Sequence, residues 1–448
     1  MRAIGQSENR FPLILFIVLS LNLFAATAIL AMLIALGYIF LHNKYFSKVK
    51  KSEFVVLRNV SWPIFVMMCI GFLVGIYGNN ETYDILKDLY FFLKALIFFL
   101  FGYVCYKKFA INRIIATFVW VGILVSVSYL VLLFGYSVTG LIDLSSIYLY
   151  RKSIPELPYD PLISIMLLLF FPKSSNSYSL SASMLVIVQT IAVASSLSRL
   201  SLLVLIVVFI MRLSFKLNIS KGVFLLGSMV ITLTLAIGSM YAFKGYDNGN
   251  SDSVNSQFMG KVTNSFQEIG SSDFSDDSLI RTNWRAYETL QGVIKFFSGS
   301  NGQKIFGHGF GELTSVGIDI KLGGTIRNEI PIFHNGYIYI LVKLGLVGMF
   351  LYIVFLYSII KITLSSRIKS RFLDIAMQKR GEKYSLGALI FFLIFITLVF
   401  FGIFNNAIFN NILVILIVLL LELRSIKAGP SLTPSGVGVG LKHRLEHE

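Results

Sequence analysis

The chain has few cysteines, histidines, prolines and charges for its length. Of 448 residues, two are cysteine and five are histidine. Cys69 and Cys105 both lie inside apolar runs, which excludes a disulfide framework and a cysteine-ligated metal cluster. Charged residues make up 14% against 56% hydrophobic, with a mean hydropathy of +0.76, and no water-soluble domain of this size could bury that much apolar surface. The motifs of several enzyme classes are also missing. There is no HExxH, no Gly-rich phosphate loop with its lysine, no GxSxG, and no acidic pair at metal-binding spacing on a firmly placed helix. No metal or other cofactor is expected.

Long apolar runs are abundant. Since about 20 apolar residues cross a bilayer, spans are expected at Ser61–Tyr77, Leu89–Tyr106, Ile114–Tyr136, Pro161–Pro172, Leu180–Ser195, Leu200–Met211 and Val223–Phe243. Three more are expected at Tyr337–Ile360, Ser385–Phe401 and Ile408–Leu421. The run from Phe11 to His42 is too long for a signal-peptide core and reads as one tilted helix or two short ones breaking near Leu21 and Asn22.

The formal net charge of +16 would suit nucleic acid, but the basic residues cluster between apolar runs, where they act as topology signals. Nucleic acid is therefore not an expected partner. Splitting the first run gives about 12 spans and puts every strong cluster on the cytoplasmic side: Lys44–Arg58, Lys107–Arg113, Arg212–Lys221, Lys361–Lys383 and Arg424–Lys427. An unsplit first run would put them all outside. The expected architecture is an all-α polytopic inner-membrane domain, residues 1–428, with one large loop at 244–333 on the outer face between the ninth and tenth helices. Residues 429–448, rich in Gly, Ser and Pro, read as a disordered tail or a remnant of expression.

Only His308 and His334 are expected on the outer face. His334 stands just after Pro331 at the start of a membrane helix, where the positive end of the helix dipole favours a neutral imidazole. Such a group can take a proton from a sugar hydroxyl as general base, or can simply cap and anchor the helix. His308 lies in FGHGFGE, whose glycines announce tight turns and close backbone approach more than catalysis.

In DDSLIRTNWRAYETLQGVIKFF, Ile280, Trp284, Tyr287, Leu290 and Ile294 recur at helical spacing, with Arg281 and Arg285 on the opposite face. Paired guanidiniums can clamp a pyrophosphate; equally, they form a solvated face with Arg285 paired to Glu288. Arg199, in the short turn ASSLSRLS, must sit at the membrane boundary, where an anionic ligand or a lipid head group would meet its charge. Arg151 and Lys152 are weaker cases. Lys94 and Lys343 fall inside expected helices and need a cavity or an escape to the interface. A base with cationic clamps and no metal suits glycosyl transfer from a lipid pyrophosphate, a leaving group that needs charge neutralisation rather than a proton.

SLSR, RTNWRAYE, GHGFG and HNGYIYILVKLGLVG, in that order between about Ser195 and Phe355, resemble the bacterial O-antigen polymerases and O-antigen ligases. The resemblance implies a membrane-embedded glycosyltransferase of the C-type fold. Its substrates would be undecaprenyl-pyrophosphate-linked oligosaccharides, handled on the periplasmic face. It implies that His334 is the catalytic base and that Arg199 and Arg281, assisted by Arg285, bind the pyrophosphate. His308, Arg151 and Asn335 are candidate substrate contacts, and membrane lipids and a chain-length regulator are candidate partners. HNGYIYI followed by LGLVG is closer to the polymerases. The alternatives are a ligase acting on the lipid A core and, from another class, a lipid-linked oligosaccharide flippase, against which the absence of two similar halves argues.

Overall fold

The structure is a computed structural model. It describes residues 12–22, 25–47, 49, 51–109, 111–140, 157, 160–170, 182–196, 198, 201–202, 204–206, 208–209, 212, 274, 280, 284–322 and 325–377. Arg151, Arg199, Arg281, the expected spans Val223–Phe243, Ser385–Phe401 and Ile408–Leu421, and the tail 429–448 all lie outside the described residues.

The helices are α1 (Leu13–Asn22), α2 (Ala25–Leu41), α3 (Lys44–Ser47), α4 (Lys51–Tyr77), α5 (Thr82–Lys108) and α6 (Ile111–Val138). Then come α7 (Asp160–Phe170), α8 (Ala182–Ser195), α9 (Trp284–Ser298), α10 (Asn301–Phe306) and α11 (Gly336–Met377). The first apolar run divides into α1 and α2, close to the expected break. Among the described residues, four helices are long and apolar enough to cross a membrane: Glu53–Tyr77, Thr82–Cys105, Arg113–Val138 and Gly336–Ser358. With lipid as solvent, a helix satisfies its own backbone hydrogen bonds, which is why such sequences settle as helices. The chain is accordingly a mostly helical, membrane-embedded protein.

α4 pairs with α5 and α11, and α6 with α7 and α8, around one apolar core. At one end, Glu53 on α4 accepts from Tyr103 at 3.0 Å and from Lys107 at 2.5 Å on α5, which pairs a carboxylate that burial would otherwise penalise. α5 also carries Asp84 and Asp88, both buried and one turn apart. An acidic pair on a helix was not expected from the sequence, and no group of three His, Cys, Asp or Glu placed to hold a metal occurs among the described residues.

Strands were not expected, yet β1 (Thr314–Leu322) and β2 (Thr325–Ile330) form an antiparallel hairpin. Thr314 faces Ile330 and Leu322 faces Thr325, with a bulge between Ser315 and Ile320 where Gly317 takes φ +67°. The bulge leaves the Val316 carbonyl free to accept from the Tyr287 hydroxyl at 2.6 Å, which ties the hairpin to α9.

Candidate functional site

The site begins with a broken helix. α11 leaves helical geometry at Gly345 (φ 62°, ψ −160°), and the carbonyls of Val342 and Lys343 accept 2.9 Å hydrogen bonds from the His308 and Gly309 amides. A Cβ at Gly345 would stand 2.5 Å from the Gly307 nitrogen, so only glycine admits this contact. Gly307, Gly309 and Gly311 all have φ between +82° and +87°, as the glycine spacing predicts.

Phe310 enters the groove of α4 at Gly71 and Gly75, and its amide donates to the Gly71 carbonyl at 2.8 Å. Asp88 completes the seat. It accepts from the Gly311 amide at 2.8 Å, the Tyr339 hydroxyl at 2.7 Å and the Lys343 ammonium at 2.7 Å. Lys343 also donates to the Glu312 carbonyl at 2.5 Å. The lysine that the sequence leaves in need of a cavity is thus buried against a carboxylate, and the pair pins the turn between α5 and α11.

His308 is buried within this turn. Desolvation first, and then the Lys295 ammonium, hold its pKa below the ordinary value, against an opposing pull from Glu312. It hydrogen-bonds the Lys295 backbone, and its Nε2 has no hydrogen-bond partner. It meets α11 at Val342, eight residues or about 12 Å of helix beyond His334. The two histidines expected on the outer face are not brought together.

His334 sits two residues before the start of α11. Its backbone N–H donates to Glu288 Oε1 at 2.7 Å, and its Nδ1 lies 2.6 Å from Glu288 Oε2. The carboxylate is almost wholly enclosed, whereas half of the imidazole surface is open (2% against 50%). Gripping both the main chain and the ring of one residue fixes the ring's orientation. With a proton on Nδ1 donated to the carboxylate, Nε2 is the free basic nitrogen. The cap of α11 is Asn335, whose side-chain oxygen accepts from the Tyr337 and Ile338 amides at 3.1 and 3.4 Å. His334 is therefore not the cap, and the Asn335 side-chain oxygen is engaged by the helix.

Glu288 reaches His334 because α9 lies close to the start of α11. Gly292, one turn on, is pressed against Ile338 and Phe333, and a Cβ there would stand 2.3 Å from the Ile338 methyl. The packed face of α9 carries Glu288, Gly292 and Phe296, while Leu290 and Ile294 are exposed. Of the residues grouped by their helical spacing, Ile280 and Tyr287 are buried while Leu290 and Ile294 are exposed. Arg285 stands one turn before Glu288 and is half-buried on the same side of the helix. Glu288 was available to sequence reasoning only as a partner for Arg285, three residues away; its contact with His334 spans 46 residues. No protein-family model matches the chain, and no curated protein matches it.

Proposed function

We propose that the protein is an O-antigen polymerase, a membrane-embedded glycosyltransferase of about 12 spans with the C-type fold. It joins undecaprenyl-pyrophosphate-linked oligosaccharides into a polysaccharide on the periplasmic face of the inner membrane. The observation that carries this reading is the half-open imidazole of His334, held through Nδ1 and its own main chain by the enclosed Glu288 carboxylate. A ring gripped in this way presents one basic nitrogen in a fixed direction, which is what a general base needs before it meets its substrate.

His334 Nε2 takes the proton from a hydroxyl of the acceptor sugar as that oxygen attacks the anomeric carbon of the donor. The bond from that carbon to the pyrophosphate breaks, and the electron pair leaves with undecaprenyl pyrophosphate. Glu288 stabilises the imidazolium that forms, without itself taking up the proton. The charge gathering on the leaving group calls for cations, and Arg199, Arg281 and Arg285 fill that role.

The test is complementation of a strain lacking the gene, with membrane levels matched and lipopolysaccharide resolved on a gel. Wild type restores a ladder from a single-repeat background, and His334→Ala loses about 10²–10⁴-fold in polymerisation rate. Glu288→Gln removes a charge-assisted hydrogen bond worth about 1.5–3 kcal/mol, or roughly tenfold to a hundredfold in rate. A fully active His334→Ala discards the mechanism. Chains newly attached to a bare core would make the enzyme a ligase.

A further inference from the structure

The later part of α9 turns an apolar stripe away from the protein. Leu290, Ile294 and Phe297 follow one another at i, i+4 and i+7, and all three are exposed, Phe297 by 66%. The opposite face is committed to Glu288, Gly292 and Phe296, so the helix cannot roll to hide the stripe without breaking the contact with His334. On α10, Ile305 and Phe306 are exposed as well. Single exposed apolar side chains are ordinary on a protein surface, but five on two consecutive helices form a patch that water penalises.

What lies beside the patch identifies its surroundings. The Ile305 carbonyl stands where a Cβ on Gly345 would meet it at 2.5 Å, so the end of α10 abuts α11 at its break. Directly after that break, α11 exposes Leu346, Phe350, Ile353 and Tyr357, again at i, i+4, i+7 and i+11. That stripe belongs to a helix long and apolar enough to cross a membrane. The apolar surface of α10 is therefore continuous with the lipid-facing stripe of a span.

We propose that α9 and α10 form a shelf seated in the membrane itself, with Leu290, Ile294, Phe297, Ile305 and Phe306 immersed at the boundary between head groups and acyl chains. The partner is the bilayer lipid, and the inference stands whether or not the protein transfers sugars. An amphipathic helix lying in the interface buries its apolar face about 5–10 Å into that boundary. Because Glu288 lies on the opposite face of the same helix, the shelf holds His334 at head-group depth, where a lipid-linked pyrophosphate is found.

The test uses the full chain in vesicles of phosphatidylethanolamine and phosphatidylglycerol, with Cys69 and Cys105 replaced by serine. A nitroxide is placed in turn at Ile294→Cys and Phe297→Cys. Phe350→Cys serves as the lipid reference and the exposed hairpin position Ser315→Cys as the aqueous reference. Collision with molecular oxygen and with a water-soluble nickel chelate is read by power saturation. The expected result at 294 and 297 is high oxygen collision with nickel collision several-fold below that at 315, matching 350. Nickel collision equal to that at 315 overturns the proposal by placing the stripe in water. Exclusion of both relaxants overturns it by showing that protein, a second copy or another segment of this chain, covers the stripe. Oxygen access at 350 certifies that a given preparation is folded in its membrane.

Discussion

At the scale of single residues, the pairing of Glu288 with His334 separates two roles that one substitution cannot distinguish. Glu288→Asp shortens the reach by one methylene, so the charge remains while the grip on ring and main chain is lost. Glu288→Gln keeps the reach and loses the charge. If Glu288 acts mainly by stabilising the imidazolium, Gln is the more damaging of the two; if by aiming the ring, Asp is. Comparing polymerisation rates of the two at matched expression decides this, and a wild-type rate for both removes Glu288 from the mechanism.

His308 supplies a second residue-scale prediction. Its folded pKa is depressed by burial and by Lys295, while the unfolded side chain titrates at the ordinary 6.5. Below that value the unfolded state binds a proton that the folded state resists, so stability is level above pH ~6.5 and falls as the pH drops below it. Thermal unfolding in detergent from pH 8 to pH 5 should show that slope, and His308→Gln should flatten it.

At the scale of elements, the seat of the GHGFG turn depends on one broken helix and one buried ion pair. Lys343 and Asp88 are exposed by only 1% and 2%. Removing one partner of such a pair leaves an uncompensated charge and costs about 3–5 kcal/mol, whereas removing both costs less. Lys343→Met should therefore lower the melting temperature more than Lys343→Met combined with Asp88→Asn; equal losses would mean that the pair's charge is immaterial. Gly345→Ala forces a side chain into a positive-φ position, at about 1–3 kcal/mol, before any clash with Gly307 is counted.

The glycines of this turn are legible in the sequence because three of them in five residues need special backbone angles. Their docking partners are not, since Asp88 lies 223 residues from Gly311 and a contact of that span leaves no periodic trace. The hairpin leaves only a partial signal in the sequence: residues alternate in polarity from Val316 to Leu322 ahead of Gly323 and Gly324, whereas TIRNEI carries three polar residues in a row. The exposure of Leu290 and Ile294 on α9 has a different origin. The rule that apolar residues point inward presumes water outside, and α9 follows the same hydrophobic logic with lipid outside.

At the scale of the whole molecule, four of the expected spans are met among the described residues by helices long and apolar enough to cross a membrane, because backbone satisfaction in lipid leaves the chain so few options. Sidedness is read from the basic clusters, and α4 offers a direct check of it. Its 27 residues extend about 40 Å, enough to cross a bilayer and its head groups. The turn after α4 is on the side of the site, because Asn80 donates to the His308 and Phe310 carbonyls at 3.2 and 2.8 Å. Ser47 lies just before the opposite end of α4, within the first basic cluster. On a background without the two native cysteines, Glu81→Cys should therefore react with a membrane-impermeant maleimide added to cells whose outer membrane has been opened, and Ser47→Cys should react only after lysis. The reverse pattern would put the basic clusters outside and His334 in the cytoplasm. There no lipid-linked saccharide awaiting polymerisation in the outer leaflet could reach it, so the topology measurement tests the proposed function as sharply as any substitution in the site.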